Sequence, residues 1–172
     1  MKKVTIILTG VILMSIASLN VNAQVSATAD AKATIVTTIG IVKDVNLNFG
    51  NLAVTSLAGA VELAPSLSAT RTKSGGVTLP VITGSPTAAK FDVSGQENYT
   101  YSITLPASIN LTGAGDDMVV DSFTTDKALN KSTLDASGDD SFFVGATIHV
   151  NALQAAGEYT NTSDLTVTVN YN

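Results

Sequence analysis

The sequence predicts an all-β fold, an antiparallel sandwich, on three observations. Thr, Val, Ser, Ala, Asn and Gly dominate the composition, Trp is absent, and only 13% of residues are charged, so the long side chains that favour helices are scarce. Apolar and polar residues alternate with period two in run after run, the pattern of a strand with one buried face. Gly, Pro, Asn and Asp punctuate these runs at the 8 to 12 residue spacing of a sandwich.

Met1 to Ala23 stands apart. Lys2 and Lys3 precede an apolar run from Val4 to Leu19, interrupted by Thr5, Thr9, Gly10, Ser15 and Ser18, and Val21-Asn22-Ala23 is a small-x-small site. This is the pattern of a secretory signal peptide cleaved after Ala23, too interrupted for a membrane anchor of about 20 apolar residues. The mature chain would open at Gln24 and carry seven Lys and Arg against fourteen Asp and Glu, a net charge of −7. Nucleic acid and anionic lipid are poor partners for that surface. There is no cysteine, hence no disulfide framework and no lipid attachment at the new N-terminus. The expected location is outside the cytoplasm: periplasm, cell surface or medium.

The mature chain divides into an N-terminal strand, residues 24–43, and a sandwich domain, residues 44–172. In the first, Val25, Ala27, Ala29, Ala31, Ala33 and Ile35 alternate with Ser26, Thr28, Asp30, Lys32 and Thr34, a small-faced strand suited to a shallow groove, running on through Val42. Asp44 to Leu52 puts Val45, Leu47 and Phe49 on one face before a turn at Gly50-Asn51. Short strands follow at Val61 to Leu63 and at Ser68 to Lys73, the latter closed by Ser74-Gly75-Gly76, and then at Val77 to Ile82, kept to a sheet edge or a bulge by Pro80.

Ala88 to Val93 turns Phe91 and Val93 inward, and Tyr99 to Leu105 alternates until Pro106. Met118 to Thr124 follows a flexible Gly113 to Asp117, and a polar loop leads to Asp140. Phe142 to Asn151 places Val144, Ala146, Ile148 and Val150 in the core, and Asn151 to Ala156 has room for one helical turn. After Gly157, Leu165, Val167, Val169 and Tyr171 form the apolar face of a terminal strand. The sum is a single immunoglobulin-like antiparallel β-sandwich of eight to nine strands.

Chemistry is sparse. The single histidine, His149, falls on the solvent side of its strand, where no triad is built around it. Asp116-Asp117 and Asp139-Asp140 sit in Gly-containing loops without the twelve-residue calcium pattern and serve solubility. A glycosidase needs paired carboxylates across an aromatic-lined cleft; here Tyr99, Tyr101 and Tyr159 read as core or rim residues. Gly113-x-Gly115 lacks the strand–helix setting of a phosphate loop. Asn-x-Ser/Thr triplets begin at Asn98, Asn110, Asn130 and Asn161, as a chain rich in Asn and Thr produces by chance. No catalytic residue, cofactor or metal is expected.

Five segments form a pattern: Asp44 to Leu52 with its Phe49-Gly50, Thr70 to Pro80, Phe91 to Pro106 opening on Phe-Asp-Val-Ser-Gly, Met118 to Phe123, and Phe143 to Val150 followed by Gln154 to Asn161 with Ala-Gly-Glu-Tyr. Together they resemble the secreted bacterial family catalogued as domain of unknown function 4402. That family is similar in turn to spore coat protein U and the chaperone–usher pilins. The resemblance implies a terminal strand beside a groove left by a missing strand, filled by the N-terminal extension of the next subunit, with main-chain bonds giving affinity and alternate side chains register.

On this chain the resemblance makes Val25, Ala27, Ala29, Ala31, Ala33 and Ile35 the donor face. It makes Leu165, Val167, Val169 and Tyr171, after Gly157, the acceptor strand. It implies as partners a second copy or other pilin-like subunits and a periplasmic chaperone. Two departures stand out: the cysteine near the first strand of many pilins is missing, and an alanine face offers less apolar area than Val or Ile anchors. The expected function is therefore that of a non-catalytic structural or adhesion protein, a fimbrial subunit joined by strand complementation. The alternative is a self-complete secreted binding module, for carbohydrate, in which residues 25–35 pair within their own chain.

Overall fold

The computed structural model of the chain describes residues 24–162 and 164–172, so the expected signal peptide, residues 1–23, lies outside the described residues. Residues 35–172 form one compact unit, all-β and antiparallel throughout. The strands are β1 (Gly40–Val45), β2 (Ala53–Leu63), β3 (Arg71–Thr78), β4 (Ala89–Ser94), β5 (Thr100–Thr104), β6 (Ser108–Gly113), β7 (Met118–Thr125), β8 (Ser132–Thr133), β9 (Asp139–Val150), β10 (Tyr159–Thr160) and β11 (Thr168–Tyr171).

The organising element is β9. Its twelve residues alternate as expected, with Phe142, Val144, Ala146, Ile148 and Val150 buried. Along one edge β4 pairs with its first half, Ala89 opposite Val144 through Ser94 opposite Asp139, and β2 with its second, Leu63 opposite Ala146 through Gly59 opposite Val150. The other edge carries β7. From this spine an eight-stranded sheet grows in the order β1-β4-β9-β7-β6-β10, with β2 and β3 attached at the β9 edge. A second sheet has three strands, β11-β5-β8.

Two apolar clusters result. Phe91, Val93, Phe142 and Val144 of the large sheet pack with Tyr101, Ile103 and Val169 of the small one and with Leu134. The other cluster, on the far half of the large sheet, gathers Val61, Leu63, Val77, Ile109, Met118, Val120, Ile148 and Val150. No strand of the small sheet contributes to it among the described residues.

Several expectations shift. The strand expected from Val25 through Val42 starts only at Gly40; residues 24–39 form none. Ser74-Gly75-Gly76 is not a turn but the middle of β3, opposite a bulge between Val54 and Gly59 in β2. Gly75 has a φ of +64°, which a side-chain-bearing residue rarely adopts, so the glycines absorb the register shift. Three strands went unexpected, β6 and the two-residue β8 and β10, and residues 151–156 take turns and bends rather than a helical turn. Eleven strands are described instead of eight to nine.

Candidate functional site

Over the second cluster lies a cleft of about 1290 Å³. Its floor is the inner face of β6, β7 and β9: Ile109, Met118, Val120, Ile148 and Val150. One wall is residues 45–54, the other residues 154–162 with Leu165. Small-molecule pockets usually measure about 300–1,000 Å³ and close around their ligand. This cleft is larger, and its apolar floor comes from three neighbouring strands.

Local chemistry holds both walls. In the first, Asn48 exchanges both main-chain hydrogen bonds with Thr87, at 2.8 and 2.9 Å. The Arg71 guanidinium donates through Nη1 to the carbonyls of Phe49 and Asn51, at 2.8 and 3.0 Å. That side chain reaches across from β3 and pins the Gly50 turn. In the second wall, β10 pairs with β6, Tyr159 opposite Gly113, and the Tyr159 hydroxyl donates to the Ala155 carbonyl at 2.9 Å. Gln154 donates through its amide nitrogen to the Asp116 carbonyl, while its Oε1 is buried without a hydrogen-bond partner.

Beyond Leu165 the chain enters β11, an end strand of the small sheet. Asn172 donates its N–H to Thr100 at 3.2 Å, and β5 directs Ile103 N–H the other way, to Leu129 at 2.7 Å. Antiparallel ladders alternate. Thr168 and Asn170 therefore spend their main-chain groups on β5, and Val169 and Tyr171 turn theirs to the other edge, where no strand pairs with β11 among the described residues.

The candidate residues of the terminal segment divide accordingly. Gly157 and Leu165 line the cleft. Val167, Val169 and Tyr171 belong to the cluster between the sheets, with Val169 opposite Ile103 and Tyr171 opposite Tyr101. The candidate donor residues Val25, Ala27, Ala29, Ala31, Ala33 and Ile35 are all exposed, Val25 by 93% and Ile35 by 98%. The floor residues Ile109, Met118 and Val120 were not among the candidates. Each is an ordinary buried core position, and nothing in its own segment marks it as lining a cleft.

Elsewhere, His149 is exposed as expected, and its Nε2 lies 3.0 Å from Asp121 Oδ1. Ser122 also bonds the Asp121 carboxylate, so both side chains converge on the acid instead of forming a Ser–His link. The His149 bond, with Ser122 behind it, holds the Asp121 carboxyl below the usual carboxylate range. A depressed carboxyl stabilises the fold above its unfolded pKa of about 3.9 and ceases to as pH falls through the folded value. His149→Ala should move the Asp121 titration back upward, read by NMR of the side-chain carboxyl carbon. No group of three or more His, Asp or Glu is placed to hold a metal among the described residues.

The family described as Domain of unknown function (DUF4402) matches residues 39–171, from just before β1 to the end of β11. No curated protein and no solved structure matches the chain.

Proposed function

We propose that this chain, which belongs to the family of domain of unknown function 4402, is an exported, non-catalytic structural subunit, pilin-like in assembly. In this reading the compact unit is an immunoglobulin-like sandwich lacking one strand. The observation that carries it is the cleft over Ile109, Met118, Val120, Ile148 and Val150, with Leu165 in its wall three residues before a terminal strand that ends its sheet. The occupant is residues 25–35 of a second copy. Their alternating small apolar face would lie on the floor and their main chain would pair along β11. Residues 24–39 form no strand of their own, which favours this reading over a self-complete carbohydrate-binding module. A periplasmic chaperone would guard the cleft before assembly.

The test uses two forms of the mature chain, one starting at Gln24 and one at Thr37. The longer form should associate with rising concentration in sedimentation, and the shorter should stay monomeric yet bind a synthetic peptide of residues 24–36. Leu111 is half-buried on β6 in the cleft wall, so Leu111→Glu should weaken peptide binding by about 100-fold, since the carboxylate would be desolvated by the bound strand. Its fold should survive, because in the free subunit that position still reaches water. A monomeric longer form and no peptide binding would overturn the proposal.

A further inference from the structure

Thr37 is gripped on both of its main-chain polar groups. Its N–H donates to Gln96 Oε1 at 3.1 Å, and its C=O accepts from the Tyr171 hydroxyl at 2.8 Å. That hydroxyl in turn accepts from the Gln96 N–H at 2.6 Å. Gln96 belongs to the turn joining β4 to β5, and Tyr171 ends β11, its ring edge-on to Tyr99 at 5.6 Å between centroids. The residue before Gln96 is Gly95, where a Cβ would run into the Tyr171 hydroxyl. A glycine there leaves the notch that the hydroxyl fills.

Thr37 is also a boundary. Two residues before it Ile35 is almost wholly exposed, and two residues after it Ile39 packs against the cluster between the sheets. Then β1 begins, an edge strand held in the large sheet by β4 alone, from Gly40 opposite Ser94 to Val45 opposite Lys90. An edge strand pulled from one end opens one pair at a time. A single hydrogen bond tethers a point, whereas two on opposite sides of one residue also fix the direction in which the chain leaves.

We propose that Gln96 and Tyr171 form a clamp on Thr37 that sets where residues 24–36 leave the sandwich and takes the pull on them, so that β1 is not peeled from β4. The proposal rests on the reading of those residues as a strand captured by a second copy. Gln96 and Tyr171 are positioning residues: their side-chain and turn groups act on Thr37, and only the Tyr171 main chain faces the edge along which the captured strand would pair.

The test compares the mature chain with its Tyr171→Phe and Gln96→Ala variants by residue-resolved amide exchange. Phenylalanine keeps the ring against Tyr99 and removes only the hydroxyl. Exchange in Gly40–Val45 should quicken by about tenfold in both variants, the scale of one lost hydrogen bond, while Ile103 and Phe142 keep their rates. An unchanged β1, or equal acceleration in β1 and in Ile103, overturns the clamp. A second arm places Ala29→Cys and Leu111→Cys in one chain and oxidises it. Disulfide-linked multimers are expected, and in them Tyr171→Phe should again quicken β1 exchange. Absence of multimers from the otherwise unaltered chain overturns the captured-strand reading and, with it, the pull the clamp is proposed to bear. Multimers in which β1 exchanges equally with and without the Tyr171 hydroxyl overturn the clamp alone.

Discussion

Phe142→Ala should lower the unfolding free energy by about 3–5 kcal/mol, the cost of deleting a large buried aromatic and leaving its cavity. Phe142 has no exposed surface and sits opposite Phe91 on β4, the two rings stacked at 5.5 Å with 24° between their planes. The pair faces Tyr101, Ile103 and Val169, so it is the middle of the layer that binds the three-stranded sheet to the eight-stranded one. Small domains have about 5–15 kcal/mol in total, and about a fifth or more of that would go with one side chain. Urea denaturation should show a lower midpoint with an unchanged slope, and exchange at Ile103 and Val169 should quicken. Phe142→Leu, which keeps most of the volume, should cost less. A loss below about 1.5 kcal/mol for alanine, the range of volume-conserving swaps, would mean that the small sheet is anchored elsewhere.

The readable parts of the sequence were those where one segment carries its own evidence. The alternation in Ala88 to Val93, Tyr99 to Leu105 and Phe142 to Asn151 marks strands whose buried faces are the expected ones: Phe91 and Val93, Tyr101 and Ile103, Val144 to Val150. In β6 only Ile109 and Leu111 alternate, between Pro106 and Gly113, too little to stand out. Leu134 is buried beside the two-residue β8 by tertiary packing alone. Ser74-Gly75-Gly76 has the composition of a turn, and only the matching bulge in β2 makes it a strand interior.

Of the cleft, Gly157 and Leu165 were among the residues singled out in the sequence, and the floor was hidden. Period two marks the terminal strand within 165–171, whereas the same pattern in residues 25–35 gives no strand. The cleft floor is drawn from β6, β7 and β9, three strands that meet only in the assembled sheet, so no one segment records it. The clamp is hidden for a related reason: Tyr171 is 75 residues from Gln96 and 134 from Thr37. A penultimate tyrosine is conspicuous in the sequence, but its hydroxyl's partners are not.

Asp140→Ala should cost about 2–3 kcal/mol, and the argument lies in what it strands. The Asp140 carboxylate, 12% exposed, accepts from the Tyr101 hydroxyl at 2.9 Å, from Lys127 Nζ at 2.7 Å and from the Ser141 N–H at 2.8 Å. Lys127 is 38% exposed and recovers water when the acid is removed, so the ion pair itself contributes about 1 kcal/mol or less. Tyr101 is fully buried and recovers no water; Ser132 also bonds its hydroxyl, but a hydroxyl deprived of its carboxylate acceptor in the interior costs about 1–3 kcal/mol. Tyr101→Phe should therefore be milder than Asp140→Ala, because it removes the donor and leaves Asp140 its lysine. The double variant should cost less than the two separate losses combined.

The same hydroxyl sets an alkaline limit. Burial first, and the Asp140 carboxylate second, push the Tyr101 pKa well above its ordinary value. A raised folded value means that stability is whole below the unfolded pKa of about 10 and drains as pH climbs beyond it, by up to about 1.4 kcal/mol per pH unit. Denaturant melts at pH 8 and pH 11 should show that loss in the unaltered chain and a flatter dependence in Tyr101→Phe. Equal alkaline slopes in the two would show that the Tyr101 hydroxyl reaches water in the folded state, and Asp140→Ala would then have no stranded donor to account for its cost.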